Sequence, residues 1–163
     1  MHFDQSLLSK AQKISNNLRK NNLKITFAES CTGGLLSAIF TEINGASDIF
    51  SYGFVTYSNQ AKMDILGVKK DTLLKFGAVS KETVKEMSQG ALIKTKSDIA
   101  IAISGIAGPN GSTQSKPVGL VYIGISTKNR LTTRKFNLTG DRSAIRKSSV
   151  ILALEIAIPF INN

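Results

Sequence analysis

Apolar residues recur at Leu7, Leu8, Ala11, Ile14 and Leu18, the i, i+3, i+4, i+7 spacing that buries one face of an α-helix over residues 4–20. Asn21 and Asn22 offer a stop. The rhythm then changes. LKITFA (23–28) is a short β-rich run, and after ESCTGG (29–34) the segment LLSAIFTEI (35–43) returns to helical character, with Thr32 as its expected N-cap. Turn-rich NGASD (44–48) leads into FSYGFVTYS (50–58), which has strand composition. Ser58 or Asn59 then caps QAKMDILG, ended by Gly67. Residues 71–76 predict another helical turn or two, stopped by Gly77. Ser80-Lys81-Glu82-Thr83 opens a longer helix to about Lys94, with Val84, Met87, Ala91 and Leu92 as its apolar positions.

DIAIAI (98–103) is a short apolar run of the kind that forms a strand buried on both faces. A loop rich in Gly, Pro, Ser and Asn follows over 104–117. VGLVYIGIST (118–127) is a strong strand, and LTTRKFNLT (131–139) alternates as its hairpin partner across a KNR turn. Asp141 caps a long final helix, expected to close near Pro159. The predicted order is α-β-α-β-α-α-α-β-β-β-α. It implies an α/β protein: a three-layer αβα sandwich with a mixed sheet of about five strands, forming one domain over residues 1–163. Ligands of such sheets gather where loops leave the strand ends.

Composition narrows the chemistry. The 163 residues are 42% hydrophobic and 20% charged, the balance of a globular chain that needs no disulfide or metal staple. No apolar run reaches the ~18 residues of a membrane span. The N-terminus lacks the pattern of an export signal, and the single cysteine, Cys31, fits a reducing compartment, so a cytoplasmic location is expected. Lysine and arginine number 21 against 11 acids, a net charge of +10 that invites a nucleic-acid reading. Against that reading, the basic residues are spread along the chain and aromatic residues are only 7%, with no RNP-like strand pattern. There is one histidine, His2. That nearly removes Ser-His-Asp, Cys-His and histidine-ligated metal chemistry. A hydrolase built from this chain needs a lysine or a carboxylate as its base. No paired histidines or cysteines suggest a metal, and no cofactor motif is present.

Four segments carry candidate chemistry. Glu29-Ser30-Cys31-Thr32-Gly33-Gly34 lies between a strand and a helix, where Ser30 presents a hydroxyl and the N–H groups of Thr32, Gly33 and Gly34 can bind an oxyanion or phosphate. The same residues also suit a plain helix cap with close-packing glycines. Cys31 is a rival nucleophile if the helix N-terminus lowers its pKa, or else a small buried residue. Glu29 is a rival base that can activate water directly. Lys62, in YSNQAK (57–62), is either a surface charge or a desolvated base for a serine held by another segment. SGIAGPNGS (104–112) is an irregular backbone beside an expected pocket, and Arg142, at a helix start, can bind phosphate bidentately or simply extend a basic face.

Taken in order, ESCTGG (29–34), YSNQAK (57–62), LGV (66–68), GAVS (77–80), SGIAGPNG (104–111), KPVG (116–119) and GDR (140–142) resemble the C-terminal domain family of the competence/damage-inducible CinA-type proteins over about residues 23–160. The larger members carry an additional N-terminal domain. The resemblance implies hydrolysis of the carboxamide of nicotinamide mononucleotide to nicotinate mononucleotide and ammonia, in pyridine nucleotide recycling, without metal or cofactor. It assigns the chemistry to Ser30 and Lys62, with Tyr57 positioning the lysine or the substrate. Thr32, Gly33 and Gly34 become oxyanion or substrate contacts, with Glu29, Ser104 and Gly105 beside them. Ser47 falls where the family commonly has a second serine, and Arg142 becomes the expected phosphate ligand. Ser104 stands where threonine is common, which keeps the hydroxyl. The expected partner is a small nucleotide substrate. A homo-oligomer, a dimer or higher, is expected from the broad apolar faces of the first and last helices. A non-catalytic nucleotide-binding or regulatory module is the alternative.

Overall fold

A computed structural model describes residues 3–161, so His2 lies outside the described residues. The chain forms a five-stranded mixed sheet between two helical layers. In chain order the elements are α1 (Gln5–Lys20), β1 (Ile25–Glu29), α2 (Leu35–Thr41), β2 (Phe50–Val55), α3 (Asn59–Leu66), α4 (Lys70–Phe76), α5 (Lys81–Thr95), β3 (Ile99–Gly105), β4 (Leu120–Thr127), β5 (Leu131–Asn137) and α6 (Arg142–Ile161). The strands lie in the order β2-β1-β3-β4-β5. β1 runs parallel to both β2 and β3, while β4 is antiparallel to β3 and β5. The expected three-layer αβα sandwich is the architecture observed.

Strand alternation decides how each layer packs. Ile25 and Phe27 of β1 and Ile99, Ile101 and Ile103 of β3 face α1, α2 and α6, forming the larger core with Leu36, Phe40, Val150 and Leu154. The opposite face carries Ala28, Ala100 and Ala102, which pack against Val84, Met87 and Ala91 of α5. Small side chains on that face let α5 lie close to the sheet. A Cβ on Gly124 of β4 would come within 2.6 Å of the Val84 carbonyl oxygen. The apolar faces of α1 and α6 that suggested an oligomer are largely spent inside the molecule. Leu7, Ala11, Ile14 and Leu18 join Ala153, Leu154, Ala157 and Ile161 in the larger core.

Several boundaries differ from expectation, each because a tertiary partner overrides a local signal. β2 ends at Val55, not 58. Beyond it the carbonyls of Thr56 and Tyr57 turn to the ammonium-bearing end of Lys62. Helix α6 passes through Pro159 to Ile161. Its last turn is held from outside, since Arg130 donates to the Pro159 carbonyl and Asn21 to that of Ile161. Thr32 does not cap α2. Gly34 occupies the N-cap in a left-handed conformation, φ 90°, with no side-chain cap of its own. The carboxylate of Glu29 takes the Leu36 and Ser37 N–H groups instead, at 3.0 and 2.8 Å. Among the described residues no helix is long and apolar enough to cross a membrane.

Candidate active site

The parallel strands β1 and β3 end side by side, and their following loops define a cleft. Ser30 is the first residue beyond β1, and its N–H donates to the Ile103 carbonyl of β3 at 3.0 Å. The nucleophile candidate is thereby tied to the centre of the sheet. Ser58 caps α3 by accepting from the Ala61 N–H, which starts the helix where its first turn carries Lys62 back over the strand ends. Lys62 is 1% exposed.

The Lys62 Nζ lies 3.0 Å from the Ser30 Oγ, 2.7 Å from the Thr56 carbonyl oxygen and 3.4 Å from that of Tyr57. Among the described residues no carboxylate forms an ion pair with it. Burial without a counter-charge pushes its pKa down to about 8. A neutral amine has two N–H bonds and one lone pair. When the two carbonyls accept the two N–H bonds, the lone pair is left to face the Ser30 hydroxyl. Protonated, Lys62 donates to Ser30 as well as to the carbonyls; neutral, it can accept the Ser30 proton in the same geometry.

Cys31 adjoins Ser30 but is no rival. Burial pushes its thiol up to about 11, so it stays protonated at neutral pH. Glu29 is fully buried on the other face of the sheet. Its carboxylate accepts from Leu36 and Ser37 backbone N–H groups and from the Ser37 hydroxyl at 2.7 Å. It is an anchor for α2 and does not reach the cleft, which corrects its placement among substrate contacts and as a water-activating base. Within the expected oxyanion triplet, the Gly33 N–H is already committed to the Ser30 carbonyl at 3.0 Å. Thr32 is buried, and its carbonyl accepts from Arg146 Nε and Nη2 at 3.3 and 2.6 Å. Arg146 of α6 thus clamps the turn from outside, a role that its surface-like setting in the sequence does not disclose.

The cleft, about 230 Å³, is lined by Ser30, Cys31, Tyr57, Lys62, Ser104 and Gly105 and by the loops around Ala78 and Ile106. Ser104 donates its hydroxyl to the Ala78 carbonyl at 2.7 Å. Tyr57 is 62% exposed at the rim. Arg142 reaches the same rim from the start of α6, donating to the Gly108 carbonyl at 2.8 Å and to the Tyr57 hydroxyl at 3.1 Å. Five separate segments thus converge at one end of the sheet. Ser47 does not join them: it is exposed in the short turn Ala46–Asp48 that precedes β2, at the opposite end of the strands. Sequence reading also missed Thr56, whose carbonyl orients Lys62, and the Ala78 and Val79 wall. Thr56 has no chemical signature, because its contribution is a main-chain oxygen. Among the described residues no group of acids, cysteines and histidines is placed to hold a metal ion.

The family model described as CinA C-terminal domain matches residues 7–161. The chain belongs to the CinA C-terminal domain family. A CinA-like protein of Endomicrobium trichonymphae is 53% identical over 154 residues, covering 94% of this chain and 36% of that protein. A putative competence-damage inducible protein of Caldicellulosiruptor saccharolyticus is 51% identical over 139 residues, 85% of this chain and 34% of that one. This CinA-type chain thus spans about a third of the length of these curated relatives. Among solved structures, the competence/damage inducible protein CihA of Agrobacterium tumefaciens superposes with a TM-score of 0.96 at 39% identity, covering 100% of this chain and 99% of that one. A CinA superfamily protein from Klebsiella pneumoniae gives 0.93 at 34% identity, over 96% and 98% of the two chains.

Proposed function

We propose that this CinA-type domain is an amidohydrolase that converts nicotinamide mononucleotide to nicotinate mononucleotide and ammonia, with Ser30 as nucleophile and Lys62 as base. The observation that carries the reading is the buried Lys62 amine, 3.0 Å from the Ser30 hydroxyl and, among the described residues, without a carboxylate partner. A lysine kept only for structure would be cheaper to leave protonated in water. Neutral Lys62 takes the Ser30 proton as Oγ bonds to the carboxamide carbon, giving a tetrahedral oxyanion. Of this turn Cys31 lines the cleft beside Ser30 while the expected Thr32, Gly33 and Gly34 do not, which favours the Cys31 N–H as the donor to this oxyanion. Lys62 returns the proton to the amide nitrogen, the C–N bond breaks and ammonia leaves. Water, deprotonated by the same lysine, then attacks the acyl-Ser30 ester; as the C–Oγ bond breaks, Lys62 returns that proton to the Ser30 oxygen and the carboxylate leaves. The cleft volume suits a planar ring bearing the carboxamide. The sugar and phosphate then extend past Tyr57 toward Arg142, which has guanidinium N–H groups beyond the two used by Gly108 and Tyr57.

The test is ammonia release from nicotinamide mononucleotide, with nicotinamide and NAD as controls, with and without chelator. Ser30→Ala and Lys62→Ala are expected to lower kcat by about 10³-fold or more while circular dichroism stays native. Full activity in either variant refutes the pair. Nucleotide binding by the wild-type protein without ammonia release would favour the non-catalytic alternative.

A further inference from the structure

The connector that brings Ala78 and Val79 to the cleft is held by side chains. Four consecutive carbonyls, those of residues 76–79, are each taken by a side-chain donor. Lys116 Nζ donates to Phe76 at 2.5 Å and to Val79 at 2.8 Å. The hydroxyls of Ser80 and Thr83 donate to Gly77 at 3.0 and 2.8 Å, and that of Ser104 donates to Ala78 at 2.7 Å. A connector between two helices ordinarily satisfies such groups with water. Here the carbonyls face protein donors, and Ala78 and Val79 line the cleft.

Lys116 is the donor that comes from furthest away, in the long loop after β3. That loop also supplies Ile106, Ala107, Gly108, Asn110 and Gly111 to the cleft lining. Its base is pinned by backbone bonds from Ile106 to Leu120 and from Gly119 to Ile106, at 2.9 and 2.8 Å. Lys116 itself is set by a small turn, its N–H donating to the Thr113 carbonyl and hydroxyl at 3.2 and 3.1 Å. It is half-buried, and among the described residues no carboxylate forms an ion pair with it. A Cβ on Gly77 would lie 2.8 Å from its Nζ, so the ammonium sits directly against the connector backbone.

We propose that Lys116 is a positioning residue of the cleft, a latch whose ammonium joins the 76–79 wall to the 106–111 wall and so sets the width available to the substrate ring. The substrate part of this inference rests on the amidase reading; the latch does not. Lys116 touches neither Ser30 nor Lys62, so its removal widens the binding site while leaving the reacting pair in place. Lys116→Met keeps the apolar stem and removes both charge-assisted hydrogen bonds. The expected result is a KM for nicotinamide mononucleotide raised about tenfold, with kcat within about threefold of wild type. Lys116→Arg, which can still donate to two carbonyls, restores most of the KM. Hydrogen–deuterium exchange, read on the same variants without substrate, is expected to speed up by about tenfold in both 77–80 and 106–111 when Met replaces Lys116. Unchanged KM together with unchanged exchange overturns the proposal. So does a matched fall in kcat and kcat/KM with no change in exchange, which would place Lys116 in the chemical step. If the wild-type protein releases no ammonia, the amidase reading fails, and acceleration of both segments, or its absence, still decides the latch.

Discussion

In the proposed reaction the chemistry turns on one amine. Lys62 must be neutral to accept the Ser30 proton, and its pKa of about 8 means that most molecules carry the protonated form at pH 7. The expected kcat/KM therefore climbs close to tenfold per pH unit below about 8 and levels off above it, in a profile taken from pH 6 to 10. A flat profile would remove Lys62 as the base. The same shift has a stability consequence. Between about 8 and the ordinary lysine value of 10.5 the unfolded chain holds a proton at this position that the folded chain has lost. Stability from this group therefore rises with pH across that window, and below it the full burial penalty stands. The stability of wild type relative to Lys62→Met, measured by urea unfolding, is expected to increase from pH 8 to 10. Of the neighbours of Lys62, the serine was legible in the sequence and the Thr56 carbonyl was not, because every residue has a carbonyl and only the fold selects one.

At the scale of elements, the site depends on how closely α3 approaches α5. Gly90 of α5 faces the end of α3, and a Cβ there would collide with the Leu66 carbonyl. Leu66 is the last residue of the helix that carries Lys62. Gly90→Ala gains helix propensity, about 1 kcal/mol, but forces the two helices apart, at about 3 kcal/mol. The net expectation is a Tm lowered by about 5 °C, together with reduced activity as Lys62 moves from Ser30. An unchanged Tm would show that α3 relaxes freely. Gly90 reads in sequence as a weakness inside a helical pattern. Its purpose appears only when the neighbouring helix is in place. The same logic explains Glu29: the ES pair reads as two site residues, yet strand alternation sends adjacent side chains to opposite faces, and the acid goes to α2.

Over the whole molecule, a net charge of +10 surrounds a cleft whose rim carries Arg142. The anionic substrate of the proposed reaction would be drawn in by this field, which salt screens over about 8 Å at physiological ionic strength. The second-order constant for nicotinamide mononucleotide is expected to fall by about threefold between low and high salt, with kcat nearly constant. A salt-independent constant would confine the role of charge to solubility. The opposite ends of the sheet are not equivalent in this picture. The loops after β1, β2 and β3 build the cleft, whereas the turn holding Ser47 lies at the far end and shares none of that geometry.

Local information was enough for much of this protein. The order and type of the main elements, the mixed sheet and the scarcity of histidine follow from periodicity, turn residues and counts, which are properties of short stretches or of composition. The Ser30 and Lys62 motifs were legible as segments. Their meeting was not, because 32 positions separate them and only the parallel pairing of β1 with β2 and β3 brings both to one edge. Desolvation of Lys62, the thiol character of Cys31, the withdrawal of Glu29 and the Lys116 latch all depend on what surrounds a group in space. Electrostatic energy is set by distance and burial, and neither quantity exists until the layers have packed.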